Sequence, residues 1–142
     1  MTDDGAEIFG RMIPFAGLCG VEPVSMGAGR SELRLTVEER HTNSLGMAHG
    51  GLVMTLLDIA LATAARSTLA EDTTVLTIDI HTTFLAPARG ALRAQGRVVK
   101  SGRTLLFAEA EVLDANDVVC ARASGVFRPI PARVDGGRGG DA

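Results

Sequence analysis

Apolar positions recur along this chain with two periods. From Val53 to Ala64 the period is helical: Val53, Leu56, Leu57, Ala60, Leu61 and Ala64 fall at i, i+3, i+4, i+7, i+8 and i+11. The other side carries Met54, Ile59, Ala62 and Ala65, so the helix is apolar nearly all round and predicts burial nearly all round. Elsewhere the period is two. Ser31 to Glu38 sets Leu33, Leu35 and Val37 against Glu32, Arg34, Thr36 and Glu38. Leu105 to Leu113 sets Glu109 and Glu111 outward against Ala108, Ala110 and Val112. Leu18–Met26, Val75–Phe84, Ala91–Lys100 and Val118–Phe127 read as further strands, and Pro23 predicts an edge position for the first. Gly27-Ala28-Gly29, Ser101-Gly102-Arg103 and Ala115-Asn116-Asp117 read as turns. Glu7 to Ile13 has weak helical character and stops at Pro14. Met1 to Ala6 is expected to fray, and the Gly-rich stretch Arg133–Ala142 to be a disordered tail. Glu39 to His49 has neither period, and so long a loop in a compact domain is more often functional than idle.

The order is two strands, a long loop, one long helix, then three or four strands joined by short turns. Short turns mean antiparallel pairing, and one helix on one antiparallel sheet is a two-layer α+β domain. A helix apolar on both sides needs a sheet that curls around it, or a second subunit over the remainder. The expected organisation is an N-terminal segment with a short helix at 1–17, the folded domain at 18–132 and the tail at 133–142.

At 142 residues with 46% hydrophobic content, the chain can bury one sizeable core. Its net charge of −3 and lack of a basic face argue against nucleic-acid binding. Cys19 and Cys120 have no metal or redox spacing and read as buried free thiols. His41 and His81 form no ligand set with His49, so no metal is expected. The acidic start Met1-Thr2-Asp3-Asp4 is unlike a signal peptide, and no apolar run reaches the length of a membrane span. The expectation is a cytoplasmic protein without a membrane partner.

Asp58 is the one acid inside the apolar helix. An ionised carboxylate there is costly unless paired or hydrogen-bonded. It is either a buried polar residue satisfied by a hydroxyl such as that of Thr55, or a working group. Gly50-Gly51 likewise is either a tight turn or a place of close approach. A helix start exposes unpaired N–H groups and partial positive charge, so Gly50, and Gly51 beside it, can donate to a carbonyl that becomes an oxyanion. Asp58 can act as nucleophile or activate a water. Gly50 and Asp58 are separated by about 12 Å along a helix axis. If both serve one carbonyl, Asp58 must come from a second copy whose helix runs antiparallel to the first, in a twofold dimer with two equivalent sites.

The pattern Asn43-x-x-Gly46-x-x-His49-Gly50-Gly51 with Asp58 resembles the hotdog-fold thioesterases, nearest the PaaI-like acyl-CoA thioesterases. Thr77-Ile78-Asp79, Phe84-Leu85-Ala86-Pro87, Lys100-Ser101-Gly102-Arg103 and Ala121 to Phe127 extend the likeness, which covers roughly Leu18 to Arg128. The resemblance implies a long central helix wrapped by a curved antiparallel sheet of five to six strands. It implies dimers joined edge to edge, pairing again as homotetramers. It implies that the Gly50 N–H polarises a thioester carbonyl, that the partner subunit's acid matching Asp58 is nucleophile or general base, that Asn43 places the water or the carboxylate, that His49 positions the thioester, and that the Thr77 hydroxyl assists the water. Coenzyme A would be part of the substrate, with no cofactor besides. Its phosphates call for basic residues at the cleft mouth: Arg103 after Gly102, then Lys100, Arg89 and Arg128. With 4% aromatic residues and no Trp or Tyr, the pocket walls are expected to be aliphatic, from residues such as Met47, Met54 and Phe84. A second class of function is a hotdog domain that binds acyl-CoA as a sensor without turnover, which has no need of Asp58. A third, a hotdog hydratase, pairs a catalytic His with an acid in a different arrangement.

Overall fold

The helical and alternating repeats fold as their periods require, over residues 3–132, which the computed structural model describes. A short hairpin, β1 (Glu7–Ile8) and β2 (Arg11–Met12), leads into helix α1 (Pro14–Cys19). Strands β3 (Glu22–Gly27) and β4 (Arg30–Thr36) follow, then helix α2 (Gly50–Arg66). Strands β5 (Thr73–Phe84), β6 (Ala91–Ser101), β7 (Leu106–Leu113) and β8 (Val119–Pro131) complete the chain. Among the described residues the main sheet has six strands in the order β3-β4-β6-β7-β8-β5, every pair antiparallel. This is the expected α+β hotdog layout, with α2 lying across one face of the sheet. Pro23 sits on edge strand β3 as its missing N–H demands. No helix among these residues is long and apolar enough to cross a membrane.

Leu33, Leu35, Leu92, Leu106, Val112 and Phe127 form the sheet side of the core, and Val53, Leu56, Leu57, Ala60 and Leu61 the helix side. Beneath the middle of α2 the sheet offers only small residues, which lets the helix backbone come down onto it. A Cβ built on Gly96 would lie 2.5 Å from the Ala60 carbonyl oxygen. That same carbonyl accepts a hydrogen bond from Ser31 Oγ at 2.6 Å. One strip of α2 is left uncovered: Gly51 and Met54 are exposed, and Thr55, Asp58 and Ala62 partly so. Helical burial is therefore incomplete within one chain.

The N-terminus departs from the sequence expectation. Glu7 to Ile13 is a hairpin, turned at Phe9 (φ 48°) and Gly10 (φ 81°), and not a weak helix. Ile8 is fully buried, and Arg66 donates to the carbonyls of Ile8 (3.2 Å) and Phe9 (3.0 Å), which fixes the hairpin over the end of α2. Pro14 starts a helix where the sequence reading placed a stop, because proline at the first helical position loses no bond. The helix ends at Gly20 in the left-handed region (φ 76°), so β3 begins at Glu22 and not at Leu18. Asp3–Ala6 is a 3-10 turn, not a frayed end: Ala6 is buried and its carbonyl accepts from the Ile13 N–H at 2.7 Å. The tail expected at 133–142 lies outside the described residues.

Gly96→Ala is expected to cost about 1–3 kcal/mol by urea denaturation, because the obstructing atom is helix backbone. Gly27→Ala, where nothing lies within 4 Å, is the control and should stay within about 0.5 kcal/mol of the parent. Equal midpoints would show that α2 does not seat on Gly96.

Candidate functional site

The loop before α2 is held by its own side chains. His41 is buried; its Nδ1 accepts the Glu38 N–H at 2.9 Å, and its carbonyl accepts the His49 N–H at 2.8 Å. Asn43 Oδ1 accepts from the N–H groups of Leu45 (2.8 Å) and Met47 (3.2 Å), and Gly46 (φ 75°) supplies the turn between them. The Asn43 carbonyl oxygen is thus spent on the loop, and among the described residues its amide nitrogen has no acceptor, which leaves a donor free.

This loop delivers His49 as the N-cap of α2. His49 Nδ1 accepts from the Gly51 N–H at 2.8 Å, so Nε2 carries the ring proton in the neutral imidazole and is free to donate. The His49 carbonyl accepts from Leu52 (3.0 Å) and Val53 (3.2 Å). Of the first four amides of the helix, only that of Gly50 has no acceptor among the described residues. It sits at the positive end of the helix dipole. A Cβ on Gly51 would lie 3.1 Å from His49 Nδ1, so glycine keeps the cap in place.

Asp58 lies two turns further along, on the uncovered strip of α2. Thr77 Oγ1 donates to its Oδ1 at 2.8 Å; Thr55 instead donates to the Gly51 carbonyl at 2.8 Å. A β-bulge at Ile78 makes the Thr77 contact possible. Thr77 pairs with Phe127 and Asp79 with Val126, so the extra residue turns Thr77 onto the inner, helix-facing side, whereas simple alternation would place it on the outer side with Asp79 and His81. Burial pushes the Asp58 carboxyl above the usual aspartate range, and the Thr77 hydrogen bond opposes that shift.

The candidates separate into groups. Asn43, Met47, Gly50 and Phe84 line one cavity of about 370 Å3 with Val53 and Cys120. His49 and Gly51 line another, of about 400 Å3, on the opposite side of the helix start. Asp58 and Thr77 form a second centre, with exposed Met54 on the same strip and not on the Gly50 cavity. Lys100, Gly102 and Arg103 lie on the β6–β7 hairpin, whose Gly102 N–H donates to the Leu105 carbonyl at 2.9 Å. The register Thr77–Phe127–Leu106–Ser101 puts this hairpin level with Asp58, whereas Arg89 belongs to the loop beside Ala88 and Ala48 at the Gly50 end. Arg40, Arg93, Arg97 and Arg122 are ion-paired; among the described residues Arg89, Lys100, Arg103 and Arg128 are exposed without an acidic partner. The wider groove of about 450 Å3 on the outer sheet face is lined by Arg97, Glu109, Glu111 and Arg122, charges already matched to one another. Among the described residues no cluster of three or more His, Cys, Asp or Glu side chains is placed to hold a metal ion. Phe15, Leu18 and the buried ring of His41 were not singled out from sequence as binding residues. Two apolar side chains three apart after Pro14 were the only trace of the first two.

Residues 45–121 match the family described as the thioesterase superfamily. A Halobacterium salinarum protein described as a candidate esterase is 35% identical over 89% of this chain and 93% of its own length. Mouse acyl-coenzyme A thioesterase 13 is 30% identical over 79% of this chain and 84% of its own. The structure of a Bacillus halodurans protein with CoA superposes with a TM-score of 0.74 at 27% identity, over 82% of this chain and 76% of that one. The fold, the helix-start donor and the matched family agree, and the chain belongs to the thioesterase superfamily as a thioester hydrolase.

Proposed function

We propose that the protein hydrolyses an acyl-CoA thioester to a carboxylic acid and CoA, at sites shared between two subunits of a twofold dimer. The observation that carries this reading is the placement of two groups on α2. Among the described residues the Gly50 N–H has no acceptor, and the Asp58 carboxylate is the one charge on the uncovered strip, about 12 Å along the same rigid helix. One thioester cannot span both, so each half-site needs the other half from a second copy. Edge strand β5 supports such a copy. It is 12 residues long, pairs among the described residues with β8 alone, and exposes Ile78 at the bulge next to Thr77 and Leu76 on the outer face. An apolar strand edge of that length requires cover.

In this reading the thioester oxygen accepts from the Gly50 N–H and the His49 Nε2–H of one subunit. Asp58 of the other takes a proton from water as the water oxygen adds to the carbonyl carbon. The tetrahedral oxyanion collapses, the C–S bond breaks, and the proton passes to the sulfur. Thr77 fixes one carboxylate oxygen, and the free Asn43 amide orients the water. A carboxyl with raised proton affinity suits the base role. Arg89 then comes from the Gly50 subunit, and Lys100, Arg103 and Arg128 from the Asp58 subunit, as unpaired cations for the CoA phosphates. The names of the mouse relative and of the CoA-containing structure support the substrate class. An acyl-CoA sensor would have no use for a carboxylate raised in pKa on this strip.

Asp58→Asn should lower kcat by at least about 100-fold in CoA release followed with a thiol reagent, while acyl-CoA binding survives; unchanged turnover removes Asp58 from the chemistry. The folded state holds the Asp58 proton more tightly than the unfolded chain does. The parent therefore loses stability as pH rises from the ordinary aspartate value through the raised one, and Asp58→Asn should melt higher above that window. Thr77→Val removes a donor to the ionised form, so the acid limb of the kcat profile should move to higher pH.

Gly50→Pro deletes the N–H at the first helical position, where proline fits, and should reduce kcat/KM by about 100-fold or more with the fold intact by circular dichroism. Unfolded and refolded together, the Gly50→Pro and Asp58→Asn variants should recover about one quarter of parental activity, since half of a random mixture is heterodimer with one intact shared site. No recovery would mean that both groups act within one chain.

A further inference from the structure

Two cavities flank the Gly50 donor, one on the Asn43–Phe84 side and one on the His49–Gly51 side. A thioester carbonyl has two substituents pointing apart, the acyl chain and the sulfur with its pantetheine arm. We propose that the His49-side cavity takes the acyl group, and that Phe15 and Leu18 of α1 are its specificity-determining wall. This rests on the thioester site proposed above.

Two observations assign the cavity, and a third marks a polar point in its wall. First, most of its polar groups are already engaged, the ring Nε2–H groups of His49 and His41 excepted. Thr55 Oγ1 donates to the Gly51 carbonyl, Arg40 donates to the Leu18 carbonyl (2.6 Å) and to Glu38 (2.7 Å), and His41 Nδ1 accepts from Glu38. Pantetheine carries two amides that need partners, and this cavity's engaged side chains offer them few. Second, the remaining wall is apolar: Phe15, Leu18 and Leu52. Phe15 is 54% and Leu18 65% exposed, although α1 buries Ala16 and Cys19. Third, the wall has one orphan. His41 Nε2–H is buried without an acceptor, on a ring that is only 7% exposed. The cavity, about 400 Å3 in volume, is wide enough for an acyl chain of several carbons or a ring and begins beside His49. The occupant that fits is an acyl group apolar beyond its first two carbons, which reaches α1, as an acetyl group does not.

The test compares octanoyl-CoA with acetyl-CoA in the parent, Leu18→Trp and Phe15→Ala proteins. The exposure of both positions lets the variants fold, which melting curves verify. Filling the cavity with Leu18→Trp should lower the octanoyl-to-acetyl ratio of kcat/KM by tenfold or more, chiefly through KM, and Phe15→Ala should lower it several-fold. Equal losses on both substrates would make α1 a mere support for His49 and overturn the proposal; so would an unchanged ratio. A binding measurement with the non-hydrolysable octyl thioether of CoA runs beside it. Weaker binding by Leu18→Trp supports the acyl wall even if the parent turns over neither thioester, the result that sinks the hydrolase reading and not this one. Unaltered thioether affinity in both variants would place the acyl group elsewhere.

Discussion

A rigid α-helix keeps residues eight positions apart about 12 Å from one another, and no rotamer of Asp58 closes that gap to Gly50. The layout around α2 answers to this separation. The sheet covers most of the helix and leaves one strip bare, the strip that carries Met54 and Asp58. Among the described residues strand β5 is unpaired along the neighbouring edge, with Ile78 exposed at its bulge. A lone chain of this shape shows water an apolar helix strip and an open strand edge together. One twofold operation would cover both and would set each Gly50 donor against the other chain's carboxylate. Assembly and chemistry then make the same demand on the same surface.

The close seat of α2 is what gives Asp58 its environment. Gly96 and Gly125 lie under the helix where a Cβ would meet the Ala60 carbonyl at 2.5 Å or the Phe127 ring at 2.7 Å. With the helix that near, a carboxylate on its flank is partly desolvated by the sheet edge, and its ionised form is disfavoured. The bulge at Ile78 then brings one hydroxyl, and only one, to it. A second donor would stabilise the anion and lower its proton affinity. One hydrogen bond orients the group and leaves most of its raised proton affinity in place.

The sequence carried the sheet and the central helix openly, because one buried face stamps a period on each element. Ser31–Thr36 and Leu106–Leu113 bury the residues that alternation named. The N-terminus was misread because a hairpin of two-residue strands has no period to show, and because Pro14 fits the start of a helix as well as its end. At the site, the glycine pair and the lone acid announced themselves by being out of place in an apolar helix. Thr77 was named only through the resemblance, and its bond to Asp58 had no sequence pattern behind it, since it is made across a bulge that alternation would have denied. Neither had the work of the loop: the two N–H groups on Asn43 Oδ1 and the backbone clasp of His41 on His49 exist only once the turn at Gly46 has closed.

The helix start shows how such a loop sharpens chemistry. A helix end with all its amides free is a general anion site, ready for any phosphate. Here His49 alone disposes of three of the four, Gly51 through its ring and Leu52 and Val53 through its carbonyl. One amide remains, that of Gly50. One directed amide suits the single oxygen of a carbonyl better than the three oxygens of a phosphate. The substrate proposed for this site carries several phosphates and one thioester, so capping most of the helix start is what would keep the wrong end of that molecule from occupying the place where the reaction occurs.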